Sequence, residues 1–171
     1  ATLKNQERFK KGSGSLVSLI KDNNADLNIS LLTLDNRTLQ TKDLYFEPTI
    51  LKAGDNQIVS MRLKAGENEY LEFKYVLKPN DYMVDFDLRS PGLNTVLNTS
   101  TPLDLQWKVK AIRNEKGIAY ENRYTEIYFE YEEDKIDYVN QGENEEENPN
   151  KVSYVAFKQH FFSAILLTKP P

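Results

Sequence analysis

The sequence predicts an all-β protein built from antiparallel sheet, and three observations carry that prediction. Ten Tyr, eight Phe and one Trp raise the aromatic content to 11%, and aromatic and β-branched residues suit a pleated, half-buried surface. Several segments alternate apolar and polar side chains with a period of two, the spacing of side chains on a strand. No stretch carries a helical apolar stripe longer than two turns, so the strands follow one another without the intervening helices of a parallel βαβ sheet.

The clearest alternation covers residues 71–78: Leu71, Phe73, Tyr75 and Leu77 share one face, and Glu72, Lys74 and Lys78 form the other. Pro79, Asn80 and Asp81 supply turn geometry, after which Tyr82, Val84, Phe86 and Leu88 resume the alternation. The two runs predict a hairpin. The same period returns over 103–112, where Leu103, Leu105, Trp107, Val109 and Ala111 alternate with polar neighbours, and more loosely over 124–131. Residues 26–34 and 57–63 are further strands, bounded by Asn- and Asp-rich turns. Residues 151–167 are the most apolar part of the chain and predict a central strand pair or one long bent strand.

With 171 residues the chain fits one domain, 1–171. Residues 141–151 stand apart, because from Gln141 to Asn150 there is no apolar side chain and a block of like charge. Having nothing to bury, this segment is expected to be a mobile acidic loop. The longest apolar runs fall well short of the roughly 18 residues that span a bilayer. Ala1 to Lys11 hold no apolar secretion signal, so the chain reads either as cytosolic or as a fragment whose targeting segment lies upstream.

Function classes narrow by chemistry. A net charge of −4 gives no general reason for nucleic acid to approach. Without cysteine there is neither a disulfide framework nor a thiolate metal site. Any Ser–His–Asp arrangement would need His160, which lies in an apolar, strand-like segment and is expected to be structural. The carboxylate clusters Glu132-Glu133-Asp134 and Glu145-Glu146-Glu147 fall in expected loops, not in a pocket. Lys11-Gly12-Ser13-Gly14-Ser15 lacks the lysine and the helix of a phosphate loop and reads as a turn. Tyr82, Phe86, Trp107 and Tyr128 could form a sugar platform, although core packing is the commoner fate of aromatics in alternating strands. No catalytic, cofactor-binding or metal residue is expected, no cofactor is implied, and the binding surface is left open.

Two segments carry a family resemblance. Phe73-Lys74-Tyr75-Val76-Leu77-Lys78-Pro79-Asn80-Asp81-Tyr82-Met83-Val84 resembles a hairpin of the large periplasmic domain of YidC-type membrane-protein insertases. Val152 to Ala164, through Tyr154-Val155-Ala156, Gln159 and Phe161-Phe162, is similar to that domain's Trp-Val-Ala strand, with Tyr154 and Phe161 in place of the usual Trp and Tyr. The stretches Asn36-Arg37-Thr38 and Asp43-Leu44-Tyr45-Phe46 also look family-like, whereas the acidic insertion at 142–150 departs from the pattern.

The resemblance implies an antiparallel β-supersandwich, related in shape to mutarotase and carbohydrate-binding domains. It is expected to be truncated at both ends, with some sheet edges unpaired. It implies a place at the periplasmic face of the bacterial inner membrane, attached through transmembrane helices absent from this sequence. The implied role is that of a noncatalytic binding or scaffold module assisting membrane-protein insertion and folding. Its implied partners are Sec translocon accessory subunits and nascent membrane proteins, with no nucleic acid. The alternative is a carbohydrate-binding or mutarotase-like domain, for which a chain with one histidine is poorly equipped.

Overall fold

The structure, a computed structural model, describes residues 2–140 and 145–168. Among them are strands β1 (Thr2–Glu7), β2 (Leu16–Ser18), β3 (Ala25–Leu32), β4 (Thr38–Gln40), β5 (Glu47–Ala53), β6 (Asn56–Lys64) and β7 (Tyr70–Leu77). They continue with β8 (Val84–Arg89), β9 (Asp104–Val109), the one-turn helix α1 (Ile118–Asn122), β10 (Glu126–Tyr131), β11 (Lys135–Val139), β12 (Tyr154–Lys158) and β13 (Ser163–Leu167). Every strand pairing resolved in register is antiparallel, and the fold is all-β as the aromatic-rich alternation predicts. No helix among the described residues is long and apolar enough to cross a membrane.

By internal contacts the chain divides after Asp26 and after Trp107: the two flanking segments make one compact unit and Leu27–Trp107 the other. In the middle unit, β5, β6, β7 and β8 form a meander in that order, and β4, β3 and β9 form a three-stranded sheet. Ile29, Leu31, Leu71, Leu93 and Leu97 are its buried core. Phe73 stacks on Phe46 at 5.0 Å and meets Phe86 edge-on at 5.7 Å. Leu71 contributes most simply: 1% exposed, it keeps a whole leucine out of water, worth about 2 kcal/mol.

The predicted hairpin forms as β7 and β8, with Leu77 opposite Val84 and Asn80 in the left-handed region its turn requires. Two details differ from the alternation. Leu77, at the hairpin end, is exposed, while Glu72, on the nominally solvated face, is 3% exposed. Tyr82 lies in the turn rather than in a strand and is 93% exposed. Asn28 is buried too, and its polar atoms are satisfied: the amide donates to Gln40, and Oδ1 accepts from the Lys42 N–H at 3.2 Å.

In the flanking unit, β11, β10, β12 and β13 form a four-stranded sheet, and β1 pairs β2. Residues 151–167 thus resolve into a strand pair, β12 inside the sheet and β13 at its edge. The turn between them places His160 outside both strands, not in a core strand as its apolar neighbours suggest. Lys11 to Ser15 form the expected turn, with Gly12 at φ 79° and Gly14 at φ 69°. Of the expected acidic loop, residues 141–144 lie outside the described residues. The remainder, 145–151, has no regular secondary structure, and Glu145, Glu146, Glu147 and Asn148 are exposed.

Candidate functional site

The flanking unit carries a hollow of about 300 Å³ in its four-stranded sheet, floored by Leu19, Ile127, Val139, Phe157, Phe162 and Ala164. Glu126 and Lys158, directly opposite on β10 and β12, stand in its wall with Thr125, Asn140 and Gln159. The Lys158 ammonium donates to Glu126 at 3.1 Å and lies 4.8 Å over the Tyr128 ring. That hydrogen bond raises the lysine above its usual pKa. An apolar floor with a self-paired ion at the wall suits contact with an apolar side chain; it offers no group poised to attack or to move a proton.

Beside it, α1 is tied down by a buried carboxylate. Glu121, 3% exposed, accepts from the N–H groups of Asn114 at 2.8 Å and Glu115 at 3.2 Å. Gln159 donates to the Ile112 carbonyl at 2.9 Å, joining the β12–β13 turn to the same segment. A carboxylate spent on backbone amides is a structural anchor. His160 stacks on Tyr124 at 4.6 Å, meets Tyr120 edge-on at 5.0 Å and lies 3.9 Å from the Phe161 ring centre. Its Nδ1 is buried without a hydrogen-bond partner, so no carboxylate orients the imidazole through that atom as a general base requires. The Tyr120 phenol is held above its usual pKa by its hydrogen bond to Tyr124.

The middle unit has its own hollow of about 430 Å³, where Leu31, Leu71, Leu88 and Leu97 meet Ser30, Ser90, Asn98 and Asp104. The Ser30 hydroxyl reaches the Asp104 carboxylate at 3.3 Å. Among the described residues no group of three or more His, Asp or Glu is placed to hold a metal ion. Glu132, Glu133 and Asp134 are the turn between β10 and β11, all three with positive φ. The glycines of the Lys11–Ser15 turn direct their amides to the protein's own Glu7, whose carboxylate accepts from Gly12 and, at 3.1 Å, from Gly14.

The four aromatics of the sugar-platform alternative do not share one unit: Tyr82, Phe86 and Trp107 belong to the middle one and Tyr128 to the flanking one. Phe86 stacks on Tyr75 at 5.1 Å and Tyr128 on Tyr138 at 5.3 Å. Sequence reasoning missed Glu121 and Glu72, the two buried carboxylates among the described residues. The pattern Gly117-Ile118-Ala119-Tyr120-Glu121 is too short for a helical period, and nothing local marks either acid as buried.

Comparison with known proteins gives one consistent result. The family model of the YidC periplasmic domain matches residues 1–171. The membrane protein insertase YidC of Parabacteroides distasonis is 36% identical over 153 residues, covering 88% of this chain and 24% of that protein. That of Porphyromonas gingivalis is 33% identical over 162 residues, 93% of this chain and 25% of the relative. That of Bacteroides fragilis is 32% identical over 155 residues, 90% and 24% respectively. The chain therefore spans about a quarter of the length of these relatives. No solved structure matches it. The relatives are named for insertion and not for a catalysed reaction. With an all-β antiparallel fold and a match running the length of the sequence, this chain belongs to the family of YidC periplasmic domains.

Proposed function

We propose that this chain is the periplasmic part of an inner-membrane insertase and acts there as a noncatalytic module, by contact with nascent membrane proteins and with Sec accessory subunits. The observation that carries the reading is the family match over all of residues 1–171, which also supports treating the two compact units as one functional domain. Its chemistry agrees. The buried carboxylates Glu72 and Glu121 are engaged by structural hydrogen bonds, and the one histidine sits among aromatic rings with an unpartnered Nδ1. The apolar-floored hollows of each unit suit transient contact with unfolded apolar segments.

The test is an insertion assay on the intact protein with and without this domain, run beside a mutarotase assay on the isolated chain. Reduced insertion or a lost Sec contact upon deletion supports the contact role; unchanged insertion together with unchanged Sec binding sinks it. Sugar turnover abolished by His160→Ala would replace it with an enzymatic one.

A further inference from the structure

The flanking unit is electrically polar along its four-stranded sheet. Residues 7–24 and 108–124 carry nine Lys and Arg against four Asp and Glu, whereas 130–137 carry five acids and a single Lys. The second set brackets the β10–β11 turn, and Glu147 lies against it, lining one hollow with Glu132 and Asp137. The first set adjoins the other end of β10, because α1 ends four residues before Glu126. Six residues of strand separate the poles by about 20 Å.

The cationic end is structured. Arg8 donates to the Arg113 carbonyl at 3.1 Å, and Arg113 in turn to the Glu115 carbonyl at 2.9 Å. Both guanidinium groups flank one ring, lying 4.7 and 5.7 Å from the centre of Phe9. Among the described residues neither forms an ion pair with a carboxylate. Arg8, Lys21 and Lys110 line a common hollow that also holds one acid, Asp22, and Lys10, Lys11 and Lys116 are exposed nearby in sequence. Phe9, at φ 67° and 41% exposed, is held outward in a conformation that costs a bulky residue free energy. The Phe9 N–H donates to Asn114 at 2.7 Å, and Asn114 to Glu121. This chain of bonds ties Phe9 to α1, whose Ile118 and Tyr120 are exposed.

We infer that this end of the flanking unit docks on an anionic phospholipid surface, with Phe9 and Tyr120 at headgroup depth and the acidic β10–β11 turn directed away. Outward aromatic rings set among Lys and Arg, of which among the described residues Lys21 alone pairs with a carboxylate, Asp22 at 3.9 Å, are the composition of a membrane-interfacial surface. The far acidic pole orients the unit by repulsion from the same lipid charge. The inference rests on the proposed membrane tethering, which holds the domain near such a surface.

The experiment is co-sedimentation of the chain with vesicles of phosphatidylglycerol in phosphatidylcholine, beside pure phosphatidylcholine vesicles. Binding is expected only to the anionic vesicles and is expected to be lost at about 0.5 M salt. Lys10→Gln, Lys11→Gln and Lys110→Gln together should weaken it about a hundredfold, at about fivefold per cation. These exposed amines make no side-chain hydrogen bond among the described residues, so folding should persist, with circular dichroism as the control. Phe9→Ala should weaken it further, and Glu132→Gln with Glu133→Gln should not. Equal binding to neutral vesicles, indifference to the triple variant, or capture of an acidic protein in place of vesicles would overturn the inference. Vesicle binding combined with insertion and Sec binding that both ignore deletion of the domain would sink the contact role alone; absent binding with impaired insertion would sink this inference alone.

Discussion

Glu72 on β7 lies directly opposite Arg62 on β6, and the arginine Nε donates to its carboxylate at 2.9 Å. Arg89 faces the same glutamate from β8, and the Ser60 hydroxyl donates to it at 2.5 Å. Burial by itself raises the pKa of this acid, but the hydrogen bonds from Ser60 and Arg62 outweigh it and hold the carboxyl below its usual value. A folded-state pKa below the unfolded one means that Glu72 stabilises the fold above about pH 4.5 and that the contribution is lost as pH falls through the folded value. Denaturant midpoints measured from pH 7 down to about pH 3 should therefore fall less steeply for Glu72→Gln than for the natural chain. Parallel curves would show that Glu72 does not titrate with folding.

Ser60→Ala removes a buried hydroxyl donor from a carboxylate that burial makes dependent on it. A loss of about 1–3 kcal/mol is expected in urea unfolding, and a change below about 0.5 kcal/mol would mean that Arg62 alone satisfies the acid.

Leu71 and Leu77 share one strand face in sequence but not in burial, at 1% and 38% exposed. Leu71→Ala should cost about 2–4 kcal/mol and Leu77→Ala under about 1 kcal/mol. Equal losses in thermal or urea unfolding would contradict the placement of the middle unit's core.

Gly92 caps the turn Leu93–Thr95 at φ 73°, and a Cβ there would lie 2.8 Å from Glu69 Cγ and 3.0 Å from the Asn68 carbonyl oxygen. Gly12 shares the positive φ but has nothing within 4 Å. Gly92→Ala should destabilise by about 2–3 kcal/mol and Gly12→Ala by about 1 kcal/mol; a reversed order in calorimetry would refute the close approach.

His160→Phe keeps an aromatic ring against Tyr120 and Tyr124 while removing the unpartnered Nδ1. Its melting midpoint should equal or exceed that of the natural chain, whereas His160→Ala should melt lower. A large loss for the Phe variant would reveal a hydrogen-bonding role for the imidazole.

The strand class and the central hairpin were legible because they are local. Leu71, Phe73 and Tyr75 repeat every second residue, and Pro79-Asn80-Asp81 can only turn. The same locality exposed the Lys11–Ser15 turn and the apolar run that became β12 and β13. Strands β1 and β5 escaped, because nearly all their residues are exposed and leave no alternation to see. Only the tertiary structure decided the fate of the charges. Glu72 is buried because the register of three strands brings Arg62 and Arg89 to either side of it, partners ten and seventeen positions away. His160 fell in a turn because hydrogen bonding between β12 and β13 had to reverse the chain there, whatever the hydrophobicity of its neighbours. Periodicity reports what one strand offers to a face; which neighbours lie across the sheet depends on pairings distant in sequence, and these determine whether a charge is solvated or enclosed.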